Sequence, residues 1–425
     1  LILLSGLTTV LIPFVARPVA GTAMRLGLAP GALTSSFLLF FFPLLLLAMV
    51  TPFALKLETR ELERIGATAG RLYAISTLGS FVGTILAGFV LIPQMGVRGM
   101  AWVLAAALWV VALVHFFLAR RFLIGSSILL LGLLLTILHP KPRFEEGVIY
   151  QTESLYGQLK VVDVRDDRYL LLDGTPQTVI DKRTGTPLLK YTHYLKFLRL
   201  VNPEAESMLL IGLGGGSIAS EFQGYGLEVD LVEIDRRMEE VARRFFGFEA
   251  KPGSVHFEDG RYYLQHTHKK YDFVLLDVYS GDAIPFHLFT SEVMSSVKSL
   301  LKPDGVLTVN LVSFVTGPNS LAAKSVYRTL KRAFPFVDVF FTQGRDRLGN
   351  VLFFASPDTI EQRMELTELE DRLDRIAVRE MLERRVHFRD DEGVVLTDDY
   401  NPLEILTLGI SRAWREETHA VLKTQ

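Results

Sequence analysis

A glycine-rich turn and an acidic residue that follows it are the clearest chemical features of the sequence. Gly212, Gly214 and Gly216 lie between an apolar segment and a helical pattern, and Glu233 ends the next apolar segment, seventeen residues after Gly216. Glycines let the backbone turn tightly and come close to a ligand, and a carboxylate at the end of the following strand can accept hydrogen bonds from both ribose hydroxyls. The pair predicts a nucleoside ligand.

Further acidic residues follow the next two apolar segments. The Asp259 and Gly260 pair comes after the third predicted strand, where a side chain can bind the adenine amino group. Asp277 ends the fourth predicted strand, and Asp282 follows on the same loop. In open α/β sheets ligands bind at the carboxyl edge of the strands, so we expect these residues to face one site.

The elements that must position these residues alternate after Pro140. Period-two patterns at 158–164, 168–172 and 177–180 predict a small antiparallel sheet. Strands and helices then alternate, which is typical of a parallel sheet covered on both faces. The predicted strands are 208–213, 228–234, 255–258, 273–277 and 306–311, the helices are 217–225, 236–246 and 291–301, and a closing strand pair is 337–343 and 350–355.

The part of the chain before Pro140 carries most of the apolar residues, in a chain that is 49% hydrophobic. Helical segments of about 20 apolar residues can cross a hydrocarbon core of about 30 Å. Residues 1–15 are interpreted as the tail of a helix whose start is missing. About five spans are predicted, counting that tail and the runs at 37–55, 72–92, 101–118 and 122–138.

Within the run at 72–92, the spacing of Gly79, Gly83 and Gly88 would let a neighbouring helix approach closely. Three domains are predicted: a transmembrane helical domain at 1–140, a small β-sheet domain at 144–200 and a Rossmann-like domain at 201–425. The protein is expected to be integral to an inner or plasma membrane. Basic residues flanking the runs are nearly balanced, so cofactor supply alone places the soluble domain in the cytoplasm.

Composition argues against several other chemistries. The chain has no cysteine, which excludes disulfides and thiolate catalysis, and its net charge of −2 gives no sign of nucleic-acid binding. His266 and His268 have no third ligand at metal spacing, so no metal site is predicted.

These residues resemble the polyamine aminopropyltransferases, the spermidine synthase family, and a subgroup in which such a domain follows transmembrane helices. The resemblance covers about 150–311 and 396–402, and it rests on the turn at 212–217, on Glu233, on Asp259 with Gly260, on Asp277 and on the turn at 301–305. It implies a Rossmann-like fold of the S-adenosylmethionine-dependent methyltransferase type, preceded by a small antiparallel β-sheet.

The resemblance also implies substrates and partners. The co-substrate would be decarboxylated S-adenosylmethionine, the product methylthioadenosine, and no cofactor would be tightly bound. Putrescine or a related polyamine would accept the aminopropyl group, and the protein would lie in a lipid bilayer, form a homo-oligomer and bind no nucleic acid. The implied cofactor-binding residues are Gln158, Gly212, Gly214, Gly216, Glu233, Asp259 and Gly260.

The amine site follows from the chemistry of this reaction. An amine nitrogen attacks the carbon next to a sulfonium, so it must lose a proton that free alkylamines hold with a pKa near 10.4. We expect Asp277 to orient the amine and take its proton. Asp282 is expected to bind the same or the distal ammonium. Tyr191 and Gln177 are expected to line the amine channel, and Tyr279 to pack on the alkyl chain.

The sequence departs from the family pattern in three places. Gly215 stands where the family usually has an aspartate that holds the aminopropyl amine, and Asn310 stands where a glutamine is expected. The family's tyrosine-histidine-glutamate cluster appears as Tyr191, Thr192 and His193, so only the tyrosine persists. Other functions therefore remain open. They are a membrane-bound S-adenosylmethionine-dependent methyltransferase and a non-catalytic polyamine- or nucleoside-binding protein. The glycine turn alone would also allow a nicotinamide dehydrogenase, but the second half of the sheet has the closing strand pair in place of another nucleotide-binding repeat.

Overall fold

The computed structural model divides the chain into two units, Leu1–Arg143 and Phe144–Gln425. It describes residues 1–59, 65–119, 147–358, 360 and 365–423, together with residues 126, 130 and 134. The predicted run at 122–138 lies almost wholly outside these residues, and so does the predicted boundary at 140–144.

The described part of the first unit is helical. Its helices are α1 (Ile2–Ala23), α2 (Leu28–Ala48), α3 (Val50–Glu58), α4 (Ile65–Leu86) and α5 (Ile92–Leu118), with a 3-10 turn at Met24–Leu26 and a π-helical turn at Ala87–Leu91. Helix α1 packs against α2 and α5. Gly6 permits this packing, because a Cβ atom there would lie 2.5 Å from the indole nitrogen of Trp109.

Three of the described helical segments are long and apolar enough to cross a membrane, namely Pro30–Glu58, Ile65–Leu91 and Gly99–Leu118. A fourth is possible if the pair Ile2–Ala16 and Pro18–Leu26, bent by 58°, forms one span. The close approach of a neighbouring helix to the glycines of α4 and the turn after it stays a prediction. No described atom lies within 4 Å of a Cβ built at Gly79, Gly83 or Gly88.

The second unit begins with a four-stranded antiparallel sheet in the order β1-β2-β3-β4. Its strands are β1 (Val148–Ser154), β2 (Gly157–Val164), β3 (Asp167–Leu172) and β4 (Thr175–Asp181). The structure thus confirms the three predicted strands and adds β1 at the start.

An eight-stranded sheet follows, in the order β12-β10-β11-β9-β8-β5-β6-β7. Strands β5 to β9 run parallel, and β11, β10 and β12 add antiparallel pairs. Counted from β5, the seven strands β5 to β11 have the order 3-2-1-4-5-7-6, which is the Rossmann-like methyltransferase-type fold. The bounds are β5 (Ser207–Ile211), β6 (Glu228–Val232), β7 (Val255–His256), β8 (Tyr271–Leu276), β9 (Leu301–Ser313), β10 (Phe336–Phe341), β11 (Gly349–Ser356) and β12 (Arg385–Val386).

Helices cover both faces of this sheet. They are α6 (Lys190–Tyr194), α7 (Phe197–Val201), α8 (Ser217–Gly224), α9 (Arg236–Phe246), α10 (Gly260–His266), α11 (Ser291–Leu300), α12 (Leu321–Ala333), α13 (Arg372–Glu383), α14 (Leu403–Leu406) and α15 (Leu408–Lys423), with 3-10 turns at Phe286–Leu288, Pro318–Ser320 and Leu366–Glu368. Alternate residues of each strand enter two separate cores: Leu209 and Ile211 lie on one face of β5, Met208 and Leu210 on the other. Because β5 to β9 run parallel, their carboxyl ends meet at one edge of the sheet.

Candidate active site

A cavity of about 430 Å³ opens at the carboxyl edge of the parallel strands. Strands β5, β6 and β8 end there, and β4, β9, β11 and α15 complete its wall. This is where the strand order reverses between β5 and its two neighbours, the usual ligand position in such sheets.

The glycine turn at the end of β5 forms one wall because side chains would not fit there. Gly212 has a φ of 98°, and a Cβ atom at this position would collide with the backbone carbonyl of Asp277. Gly214 and Gly216 also have positive φ, and Gly216 is the N-cap of α8. The glycine turn therefore packs directly against the loop after β8. Because Gly212 and Gly214 have no side chains, the backbone of the turn is exposed to the cavity.

Glu233 lies at the end of β6, 8% exposed, and faces the glycine turn. Its carboxylate accepts hydrogen bonds from the backbone amides of Leu213 (3.0 Å) and Asp235 (2.9 Å). Burial raises the pKa of Glu233 to about 7, although these two amides favour the charged form. The carboxylate is well placed at the cavity wall to accept hydrogen bonds from hydroxyl groups.

Asp259 is the N-cap of α10 and also lines the cavity. Its Oδ1 accepts hydrogen bonds from the amides of Arg261 (2.9 Å) and Tyr262 (3.1 Å), and its Oδ2 lies 3.0 Å from Nε2 of His287. Any adenine amino group bound here must share Oδ2 with His287. Gly260 lets α10 approach β5 closely, because a Cβ there would lie 2.7 Å from the side chain of Ile211.

Asp277 lies at the end of β8 and has both carboxylate oxygens held by protein. The hydroxyl of Tyr191 donates to Oδ2 (2.9 Å), and the amide of Asn310 donates to Oδ1 (2.8 Å). The carbonyl of Asn310 accepts from the amide of Asn350 (3.0 Å), which fixes the orientation of Asn310. Burial raises the pKa of Asp277 above its ordinary value, although the two hydrogen bonds oppose this. A fixed carboxylate of raised pKa suits a proton acceptor.

The two other predicted channel residues line the same cavity. The hydroxyl of Tyr279 accepts a hydrogen bond from the backbone amide of Val312, and its ring meets that of Trp414 edge to face at 5.2 Å. The side-chain amide of Gln177 donates to the backbone carbonyls of Thr175 and Gly281. Both side chains are thus held in place by contacts with neighbouring segments.

Three predicted site residues, Asp282, Gln158 and Gly216, do not line this cavity. The carboxylate of Asp282 is bound by Arg415 through two hydrogen bonds of 2.8 and 2.6 Å, so the structure does not support a direct contact with an amine. Gln158, on β2, donates to Glu153 across the β1–β2 pair, at 2.6 Å, and its backbone amide donates to Asp173. Asp282 and Gln158 differ from the prediction for one reason, because each side chain has a protein partner that the sequence does not reveal. Gly216 instead packs against the ring of Phe248.

Among the lining residues that the sequence analysis missed are Thr178, Trp414 and Glu417. The hydroxyl oxygen of Thr178 accepts from the amide of Gly215 (2.7 Å). Trp414 and Glu417 lie three residues apart on α15, so they share a face of that helix. Their spacing is the only signal in the sequence, and it does not indicate which surface that face contacts. Within the described ranges, no group of three or more His, Asp or Glu side chains could hold a metal ion.

Comparison with known proteins shows which proteins this chain is similar to. Residues 191–365 match the model of the spermine/spermidine synthase domain. A polyamine aminopropyltransferase from Vibrio vulnificus is 36% identical over 205 residues, which cover 45% of this chain and 68% of the relative. A probable polyamine aminopropyl transferase from Bifidobacterium longum is 27% identical over 287 residues, which cover 62% of this chain and 63% of the relative. The chain thus spans about two thirds of each relative.

A solved structure, that of a probable spermidine synthase from Corynebacterium glutamicum, aligns with a TM-score of 0.46 and 17% identity, covering 63% of this chain and 95% of that protein. Among these comparisons the domain match and the Vibrio vulnificus relative identify the family. The chain belongs to the spermine/spermidine synthase family of aminopropyltransferases.

Proposed function

We propose that this protein transfers the aminopropyl group of decarboxylated S-adenosylmethionine to a primary amine, putrescine or a related polyamine, and releases methylthioadenosine. The observation that carries the proposal is the position of Asp277. Its carboxylate is fixed by Tyr191 and Asn310 in the same cavity as the glycine turn and Glu233. A proton acceptor therefore lies beside a nucleoside-type site.

The proposed reaction is a single displacement. The amine nitrogen attacks the methylene carbon next to the sulfonium, a carbon–nitrogen bond forms, and the carbon–sulfur bond breaks with its electron pair remaining on sulfur. The product nitrogen then carries an excess proton, which passes to the carboxylate of Asp277. The hydroxyl of Tyr191 remains a hydrogen-bond donor throughout, because burial and the nearby Asp277 raise the pKa of Tyr191 well above its ordinary value.

The charge of the cavity supports a cationic donor and a cationic acceptor. Among the described lining residues there is no lysine or arginine, but there are six acids: Glu233, Asp235, Glu258, Asp259, Asp277 and Glu417. Decarboxylated S-adenosylmethionine carries a sulfonium and an ammonium group, both of which this wall would attract. Intact S-adenosylmethionine adds a carboxylate, for which the described wall offers no cationic side chain.

The second candidate is methyl transfer from intact S-adenosylmethionine, and one observation favours it. Gly215 replaces the acid of the family pattern, and a Cβ at this position would lie 2.8 Å from the methyl group of Thr178 and 3.1 Å from the ring of Phe246. An acid is therefore excluded where it would repel the carboxylate of intact S-adenosylmethionine. This removes an obstacle to the second donor but provides no positive contact with it.

We also propose that the first unit is embedded in an inner or plasma membrane with the second unit in the cytoplasm, where the nucleoside donor is available. Supporting this, large apolar side chains along α2 and α4 are exposed, among them Phe37, Leu44, Leu78 and Phe81. Exposed apolar surface of this extent is typical of contact with lipid.

Product analysis tests the proposed function. The purified protein is incubated with decarboxylated or intact S-adenosylmethionine and a panel of amines, and the products are identified by mass spectrometry. Methylthioadenosine together with an aminopropylated amine is the expected result. Methylated product and S-adenosylhomocysteine would establish methyl transfer instead. Binding of both substrates without any product would favour a non-catalytic binding protein.

A further inference from the structure

Helix α6, which carries Tyr191, is attached to helix α13 by two pairs of charged side chains. Nζ of Lys190 lies 3.0 Å from Oε1 of Glu380, and Nδ1 of His193 lies 2.7 Å from Oδ1 of Asp374. Lys190 directly precedes Tyr191, and His193 follows it by two residues, so the pairs lie on either side of the tyrosine. Because α6 has only five residues, its orientation depends on such contacts with other segments.

The pair of His193 and Asp374 is the more buried of the two. Their side chains are 17% and 7% exposed, whereas those of Lys190 and Glu380 are 40% and 29% exposed. Hydrogen bonds to charged groups are stronger where water is excluded, and exposed ion pairs contribute little. His193 and Asp374 therefore provide the main attachment of α6 to α13.

Both ring nitrogens of His193 face acceptors. Nδ1 faces the carboxylate of Asp374, and Nε2 lies 2.9 Å from the backbone carbonyl oxygen of Pro187. Because neither acceptor can donate, both contacts are hydrogen bonds only when each ring nitrogen carries a proton. The hydrogen bond with Asp374 raises the pKa of His193 above its usual value, although burial opposes this. The charged ring thus joins α6 both to α13 and to the segment that precedes α6.

Lys196 is a second cation beside Asp374, directly before α7. It is 1% exposed, its Nζ lies 3.9 Å from Oδ2 of Asp374, and it also pairs with Glu221 on α8. Its charge lowers the pKa of His193, and burial lowers the pKa of Lys196 itself to about 8. A change at Asp374 therefore affects two cations, and variants of His193 are needed to separate the two contacts.

The same short helix directs Tyr191 into the cavity. Tyr191 is 6% exposed, and its hydroxyl donates to Oδ2 of Asp277. His193 stands where the family pattern has a glutamate, and a glutamate there would repel the carboxylate of Asp374. The attachment of α6 to α13 is thus a feature of this chain's own residues.

We propose that His193 and Asp374 are positioning residues that hold the hydroxyl of Tyr191 on the carboxylate of Asp277. The inference rests on the proposed function in one respect, namely that Asp277 is the proton acceptor. Loss of the pair would let α6 rotate and would weaken the hydrogen bond from Tyr191. Asp277 would then lose a proton only at higher pH, because that hydrogen bond favours its charged form.

The pH–rate profile of the full chain tests this role. Asp374→Asn and His193→Leu should each move the acidic limb to higher pH and lower kcat at neutral pH by roughly three- to tenfold. His193→Asn should restore most of the parent's rate, since its amide can donate from the position of Nδ1. The matched control is Asp163→Asn, which removes an ion pair with Arg168 between β2 and β3, outside the cavity, and should leave the acidic limb in place.

A double variant separates positioning from a merely structural role. In the Tyr191→Phe background, neither Asp374→Asn nor His193→Leu should move the acidic limb further, because the hydrogen bond that they support is already missing. A structural role would instead lower activity by the same factor in both backgrounds. A further shift of the acidic limb in the double variants would overturn the inference.

A measurement without turnover distinguishes this inference from the proposed function. With 3-fluorotyrosine incorporated at Tyr191, Asp374→Asn and His193→Leu should both shift the ¹⁹F resonance of the full chain, and Asp163→Asn should not. An unchanged resonance in both variants, or an acidic limb that stays in place in both, would overturn the inference. Absence of aminopropyl transfer in the parent, with the expected shifts of the resonance, would refute the proposed function but support the positioning of Tyr191.

Discussion

The hydroxyl of Tyr191, on the short helix α6, donates a 2.9 Å hydrogen bond to Oδ2 of Asp277 at the end of β8. The two residues are 86 positions apart in the chain, and both line the cavity. Together with Asn310 on the other oxygen, Tyr191 leaves the carboxylate little freedom to rotate. Asp277 is thus oriented before any substrate arrives, as a proton acceptor in catalysis requires.

The first prediction concerns the chemical role of Asp277. Replacement by asparagine keeps the size of the side chain but removes the proton acceptor, so kcat should fall by a factor of about 10² or more. The affinity for methylthioadenosine should remain nearly unchanged, since Glu233 and the glycine turn are intact. Steady-state kinetics and calorimetry measure the two quantities. Full activity in Asp277→Asn would exclude it as the base.

A second prediction concerns Tyr191. Its hydrogen bond lowers the pKa of Asp277 against the larger effect of burial, so Tyr191→Phe should raise that pKa further. Because the base acts when deprotonated, the acidic limb of the pH–rate profile should move to higher pH, and turnover at neutral pH should fall by roughly tenfold.

Tyr194 provides a matched control for Tyr191, on the same helix. Its side chain is fully buried, and its hydroxyl has no hydrogen-bond partner among the described residues. Tyr194→Phe should therefore leave the pH–rate profile unchanged and should not lower the free energy of unfolding. A shift of the pH–rate profile in Tyr194→Phe, or no shift in Tyr191→Phe, would contradict this prediction. It would show that the hydrogen bond from Tyr191 to Asp277 does not determine the position of the acidic limb.

The third prediction concerns the first unit. Helices α2 and α4 expose large apolar side chains on several faces, which would be unfavourable in water. Membranes carrying the protein should retain it in the pellet after an alkaline carbonate wash, while a peripheral membrane protein in the same sample is released. Recovery of the protein in the supernatant would mean that these helices do not span the bilayer.

The sequence predicted those parts of the structure that depend on local patterns. The alternation of apolar segments gave the parallel strands, and the glycine turn at 212–217 marked the end of β5, because tight turns need residues without side chains. Helix α9 was predicted with its observed bounds, since Asp235 caps it and its apolar residues recur at helical spacing. Strands β1 and β12 and helices α6, α7, α10 and α12 to α15 were not predicted.

Contacts between distant segments could not be predicted in this way. Asp282 and Arg415 are 133 residues apart, and nothing in either local sequence indicates their pairing. Gly215 illustrates the same limit. The sequence alone shows only that Gly215 replaces an acid. In the fold, Thr178 and Phe246 lie so close to Gly215 that they leave no room for a side chain.

The last prediction uses the pKa of Glu233, which burial raises to about 7 from an ordinary value of 4.5. Ribose hydroxyls donate hydrogen bonds best to the ionised carboxylate, so methylthioadenosine should bind more tightly as the pH rises through about 7.

Glu233→Gln serves as the control, since it cannot ionise and should show weaker binding, by roughly 1.5 to 3 kcal/mol at pH 8, without this pH dependence. In the ligand-free protein, a rise in pH has the opposite effect, because it lowers the stability of the fold. The folded state holds the proton more strongly than the unfolded state, so the free energy of unfolding of the parent relative to Glu233→Gln should decrease as the pH rises from about 4.5 to about 7. Calorimetric titrations and denaturant unfolding at several pH values measure both effects. Nucleoside affinity that is independent of pH in the parent would argue against a ribose contact at Glu233.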